Sequence, residues 1–123
     1  CGNKTLSQFC RTRPGKKLGA DEARIVFKQV VEGVKYIHER GYSHRDLKLT
    51  NILIDYSGRV KIIDFGFACE SEKVQKMYCG TPSYMPPEIV ERKTYFGKPV
   101  DIWSIGVVLY KLITGIYAFG GKF

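Results

Sequence analysis

The stretch His44-Arg45-Asp46-Leu47-Lys48-Leu49-Thr50-Asn51 puts a carboxylate (Asp46), an ammonium (Lys48) and an amide (Asn51) within six residues. Thirteen residues after Asn51 comes Asp64-Phe65-Gly66, followed by Cys79-Gly80-Thr81-Pro82 and Pro86-Pro87-Glu88. Each piece alone is weak, because a single Asp in a loop is most often a turn or cap residue. Their order and spacing carry the reading.

The residue types suit phosphoryl transfer, which asks the protein for positioning and charge cancellation more than for covalent chemistry. Asp46 is the candidate to sit beside an incoming hydroxyl, and Lys48 the candidate cation near the moving phosphoryl group. Mg²⁺ is hard and takes oxygen ligands, which Asn51 and Asp64 can supply. With these motifs in hand, the chain resembles the eukaryotic protein kinases along nearly its whole length, from just past the hinge into the C-terminal lobe. The resemblance implies an incomplete kinase-like C-terminal lobe over 1–123, mainly α with a short β-hairpin. It also implies ATP and Mg²⁺ as cofactors, Asp46 and Lys48 as catalytic residues, and Asn51 and Asp64 as metal ligands. Lys48, with no arginine beyond it in the loop, and Thr81 in Gly-Thr-Pro are similar to the serine/threonine branch. There the threonine packs against the catalytic Asp and Lys, and Gly80 and Thr81 position the protein substrate. Cys-Gly-Thr-Pro and Asp-Phe-Gly-Phe look like the calcium/calmodulin-dependent, AMP-activated and polo-like groups.

Further roles follow from the same resemblance. Leu6 and Leu53 border the adenine from below. His44 packs under Phe65, next to Gly66, as part of a hydrophobic spine. Arg45 meets a phosphate on the activation segment. Asp101, in Asp-x-Trp with Trp103, bonds the catalytic-loop backbone near Arg45; a helix N-cap is the plainer reading. Glu88 pairs with an arginine from helices beyond this chain. The sequence departs from the pattern at several places: no carboxylate near Thr5 to hold a ribose, Thr50 where basic-directed kinases often carry Glu, Met77 at the usual phosphorylation position, and Pro86 for Ala. Ser71 and Tyr78 are displaced alternatives to Met77.

Patterning supplies the elements. Leu6, Phe9 and Cys10 mark a short helix within 1–13, and Pro14-Gly15-Lys16-Lys17 a loop. Over 21–40, Ala23, Phe27, Val30, Val31, Val34 and Ile37 form one apolar stripe. Asp21 and Glu22 at its start and His38 and Arg40 at its end suit the helix dipole, and Gly41 stops it. His38 reads as a helix-end residue. Short β-branched runs at 52–55 and 60–63 flank Tyr56-Ser57-Gly58, predicting a hairpin with Asn51 at one end and Asp64 at the other. Residues 67–88 are long and polar, the activation segment by the resemblance, and two prolines open the short helix after it. Residues 99–114 are apolar on all faces, predicting a buried helix stopped by Gly115 and too short to span a membrane. Gly120-Gly121 mark a run-out beyond it.

With 123 residues, 44% hydrophobic and 26% charged, the chain is one globular domain rather than a disordered segment. A net charge of +8 raises nucleic-acid binding. Yet no zinc-finger or RNA-binding motif accompanies the basic run Lys4, Arg11, Arg13, Lys16 and Lys17, so a solvated surface or a site for acidic partners is favoured. The four cysteines form no Cys-x-x-Cys pair, which argues against zinc and for reduced thiols in an intracellular, cytoplasmic setting. No leader opens the chain, and its start at Cys1 suggests a fragment. The expected activity is transfer of the ATP γ-phosphate to serine or threonine hydroxyls of a protein substrate by the complete enzyme. The Gly-rich loop, lysine and glutamate of an N-terminal lobe lie outside this chain. Alone it is expected to be inactive, marginally stable and apolar-surfaced. The competing reading is a non-catalytic, kinase-derived interaction module. The oligomeric state is left open.

Overall fold

Two long helices organise the computed structural model, which describes residues 3–119. Cys1, Gly120 and Gly121, read above from the sequence, lie outside the described residues. Helix α2 (Ala20–Glu39) packs against α4 (Gly97–Thr114). A short α1 (Leu6–Arg11) and a single turn, α3 (Pro87–Val90), complete the helices; three-residue 3₁₀ turns sit at Pro14–Lys16, Leu49–Asn51 and Pro82–Tyr84. The start of α1 has a full capping box. Thr5 accepts from the Gln8 amide at 3.1 Å, and the Gln8 side chain accepts from the Thr5 amide at 3.0 Å.

The expected hairpin is present as β3 (Ile52–Ile54) and β4 (Val60–Ile62), in the register Ile52↔Ile62, Leu53↔Lys61 and Ile54↔Val60. Asp55 makes its turn by accepting from the Ser57 hydroxyl at 2.6 Å and from the Ser57 and Arg59 amides at 2.9 and 3.0 Å. These bonds, the Ser57 hydroxyl first, hold the Asp55 carboxyl below its ordinary range. Three further strands carry too little pattern to be foreseen. β1 (Lys4–Thr5) adds antiparallel to β3, and β2 (Tyr42–Ser43) pairs antiparallel with β5 (Cys69–Glu70).

The main core gathers Val26, Val30 and Val34 of α2, Val107, Val108 and Leu112 of α4, and Leu6, Leu47, Leu49 and Ile52 from the elements between. Each such side chain, fully buried, contributes about 1.5–3 kcal/mol. The buried line of α2 is Ala23, Val26, Val30 and Val34, rotated from the stripe read in the sequence; Val31 is 40% exposed. The hairpin sets this phase. A Cβ on Gly33 would stand 2.9 Å from Ile62 Cδ1, and Gln29 donates to the Gly58 carbonyl (2.9 Å) and accepts from the Val60 amide (3.0 Å). Helix α4 ends on Gly115 in the left-handed region (φ 79°), as the sequence predicts. It is not covered on all sides, however: Ile102, Tyr110 and Ile113 are exposed, because no described element packs on that face. Ile25, Val31 and Ile116 add further open apolar surface, in line with the apolar-surface expectation. No helix among the described residues is long and apolar enough to cross a membrane.

Candidate active site

The loop after β2 is fixed from beneath. Leu47 and Leu49 are buried in the core, so Asp46 and Lys48, alternating with them, point away from it, with side chains 10% and 27% exposed. Arg45 has φ 69° and Asp64 φ 62°, left-handed values that cost a non-glycine residue energy and persist only where the surroundings impose them. At Arg45 the imposing group is Asp101. Its fully buried carboxylate accepts from the amides of His44 (2.8 Å) and Arg45 (2.9 Å) and from His38 Nε2 (2.8 Å). His38 lies in the last turn of α2, as its sequence position suggests, and is in addition a donor to this buried carboxylate. Asp101 bonds the loop backbone at His44 and Arg45, as the resemblance implied; it lies in the second turn of α4, whose N-cap is Phe96, so the alternative reading as a helix cap does not hold.

His44 is fully buried, and its two ring nitrogens have distinct partners. The Asp46 amide donates to Nδ1 (3.1 Å), so the ring proton sits on Nε2, which donates to the Ile63 carbonyl (2.8 Å). The ring meets Phe65 edge-on at 4.9 Å, the contact that the resemblance implied. One imidazole thereby joins the backbone at Asp46 to the strand end that leads into Asp64.

Three groups converge above the loop. Lys48 Nζ donates to Thr81 Oγ1 at 2.9 Å, and that hydroxyl donates to Asp46 Oδ1 at 3.2 Å; Lys48 and Asp46 are themselves 3.9 Å apart. Thr81 thus uses both functions of its hydroxyl to space an acid from a cation. Gly80 takes φ 108°, a value that excludes ordinary side chains, and its missing Cβ would lie 3.5 Å from the Arg45 carbonyl. Asn51 spends its amide nitrogen on the Asp46 carbonyl (2.8 Å), with a longer contact to Asp46 Oδ2 (3.4 Å). Its carbonyl oxygen is the atom left for a cation.

Asp64 is exposed, and its Oδ1 accepts from the Gly66 amide at 3.3 Å. The Ile63 amide donates to the Asn51 backbone carbonyl (2.9 Å), so the hairpin ladder delivers Asn51 and Asp64 to one end, as their spacing predicts. The donor set fits Mg²⁺: an amide oxygen and a solvent-facing carboxylate, with room for water and phosphate oxygens. No cluster of three His, Cys, Asp or Glu among the described residues makes a metal cage.

The other named residues fall around this centre. Leu53 is half-buried, paired through β3 with Thr5, next to Leu6; Leu6 itself is fully buried and presents no surface to a ligand. Gly66 is exposed, and Glu88 is half-buried in the first turn of α3. Ser71, an alternative acceptor of phosphate by sequence, is buried, its hydroxyl 2.7 Å from that of Ser43 and out of reach of another enzyme. Tyr78 is exposed under the Arg92 guanidinium, 4.0 Å from the ring centre.

The buried Arg45 side chain turns away from Asp46. Nε donates to the Phe67 carbonyl (2.6 Å) and Nη1 to the Tyr95 hydroxyl (3.1 Å), and Tyr95 donates onward to the Met77 carbonyl (2.6 Å). Burial, followed by the contact with Cys79, pushes the Tyr95 phenol up to about 12, so it remains a neutral donor. Sequence reading missed Tyr95, as a lone tyrosine in a loop carries no signal.

Comparison with known proteins identifies the family. The protein kinase domain family matches residues 1–122. CBL-interacting serine/threonine-protein kinase 5 of Arabidopsis thaliana is 46% identical over 116 residues, covering 90% of this chain and 26% of the relative. NUAK family SNF1-like kinase 2 of Rattus norvegicus is 44% identical over 119 residues, 95% of this chain and 19% of the relative. Putative sperm motility kinase W of Mus musculus is 50% identical over 104 residues, 83% of this chain and 21% of the relative. The chain therefore spans about a quarter or less of the length of these relatives. By its sequence match the chain belongs to the protein kinase family, on its serine/threonine branch.

Proposed function

We propose that residues 1–123 are the catalytic-loop portion of a complete serine/threonine protein kinase domain, lying within its C-terminal lobe. The reaction moves the γ-phosphoryl group of ATP to a serine or threonine hydroxyl of a protein substrate. The observation that carries this reading is the Asp46–Thr81–Lys48 arrangement. It holds a carboxylate and a cation on one loop, joined through a hydroxyl at 3.2 and 2.9 Å.

Asp46 accepts the proton of the incoming hydroxyl as its oxygen bonds to the γ-phosphorus. The bond from that phosphorus to the bridging oxygen breaks, and ADP leaves with the electron pair. Lys48 offsets negative charge on the phosphoryl oxygens. Gly80 and Thr81 bring the substrate backbone beside Asp46. Asn51 and Asp64 would hold Mg²⁺, which when bound supplies charge neutralisation at the phosphates. Leu53, backed by Leu6, floors the adenine. Free thiols at Cys10, Cys69 and Cys79 support an intracellular setting. The open apolar faces of α2 and α4 support the view that this chain alone is inactive and works under the rest of the domain.

The test is phosphate transfer by the complete domain. Asp46→Asn, which keeps the shape and removes the base, should lower kcat by about 10²–10⁴ with its folding transition unchanged. A variant retaining near-normal kcat would remove Asp46 from this role.

A further inference from the structure

Arg45 is a buried cation held entirely by neutral partners. Among the described residues no carboxylate lies within ion-pair distance of its guanidinium. Its bonds go to the Phe67 carbonyl and the Tyr95 hydroxyl. Tyr95 is itself anchored twice to the segment that precedes Thr81. Its hydroxyl donates to the Met77 carbonyl, and its backbone exchanges both bonds with Gln75, at 2.7 and 3.0 Å. Cys79 Sγ lies 3.6 Å from the same hydroxyl.

This phenol therefore bonds to both segments that flank Asp46. On one side is Arg45, whose left-handed backbone immediately precedes Asp46 and sets the direction in which its carboxylate leaves the loop. On the other is the run Met77–Thr81, whose last residue donates to that carboxylate. We propose that Tyr95 is a positioning residue for phosphoryl transfer: its single hydroxyl locks the Arg45 turn and the Met77–Thr81 segment together, fixing Asp46 against Thr81. The proposal rests on Asp46 being the base. The hydroxyl acts at a distance from the reacting atoms, so its loss is felt in turnover more than in nucleotide binding.

Tyr95→Phe removes the hydroxyl and keeps the ring in its cluster with Ile89 and Val100. In the complete kinase domain, kcat should fall about tenfold, the size expected for losing a hydrogen bond to a buried charge, with KM for ATP within about twofold of the parent. Hydrogen exchange at the amides of Cys79 to Thr81 should quicken about tenfold in the same sample. Tyr56→Phe, at a fully solvated tyrosine, is the control and should change neither. An unchanged kcat per folded molecule, or unchanged exchange over Cys79–Thr81, overturns the inference. So does a loss of rate that merely tracks a lowered Tm and disappears on cooling. A parent domain that transfers no phosphate at all overturns the transfer reading itself, which separates that failure from one confined to Tyr95.

Discussion

The two halves of the site are built on opposite terms. Around Asp46 nearly every polar group is already spent: Asp101 on two amides and His38, His44 on an amide and a carbonyl, Thr81 on Lys48 and Asp46. Around Asp64 the carboxylate stands in solvent with one backbone partner at 3.3 Å. The first half is organised by the chain's own bonds, and the second is left open to solvent. Burial decides the difference. A buried polar group without a partner costs about 1–3 kcal/mol, whereas an exposed one is served by water.

The contrast can be broken at Asp101. Asp101→Ala strands two amide donors and His38 beneath the loop and should destabilise the domain by about 3–5 kcal/mol, read from urea unfolding. A loss under about 1 kcal/mol would mean that the left-handed Arg45 turn does not depend on this anchor. A smaller effect sharpens the comparison at the surface. Arg13 holds Glu22 in two bonds of 2.9 and 2.7 Å, which keeps the Glu22 carboxyl below its ordinary value of 4.5. A depressed acid contributes stability above its unfolded pKa and loses it as pH falls through the folded one. The parent should therefore lose more stability than Glu22→Gln on acidification below about pH 4.5, by under about 1 kcal/mol since the pair is a third exposed. Equal losses in the two proteins would discount the pair. The smallest change in folding belongs to Asp64. Asp64→Asn should leave unfolding within about 0.5 kcal/mol of the parent while abolishing most transfer in the complete domain. A large loss of stability there would place Asp64 with the organised half.

The residues that converge around Asp46 were readable from the chain because they lie in short, ordered motifs. His44 to Asn51 is one loop, and the hairpin from Ile52 to Ile62 accounts for the distance to Asp64. The two long helices were readable from an apolar stripe in one and an apolar run in the other, and from Gly41 and Gly115. What stayed hidden depends on partners far apart in sequence. His38 and Asp101 are 63 residues apart, and Arg45 and Tyr95 are 50 apart; no local pattern announces either contact. The phase of α2 was missed because Val26 and Val31 suit its stripe equally well until Ile62 takes the space beside Gly33. Two-residue strands such as β1 have no period to read.

The bonds from Asp101 also order events in time. His44 and Arg45 reach their anchor 57 and 56 residues later along the chain. During synthesis the catalytic loop therefore leaves the ribosome before the group that shapes it has been made. The loop cannot settle until α4 has emerged and docked, and contacts of such long range form late because chain closure must come first. A nascent chain halted before residue 101 would hold Asp46, Lys48, Asn51 and Asp64, yet no site. The long reach of one carboxylate makes the shaping of the His44–Asn51 loop a late step in the life of the chain.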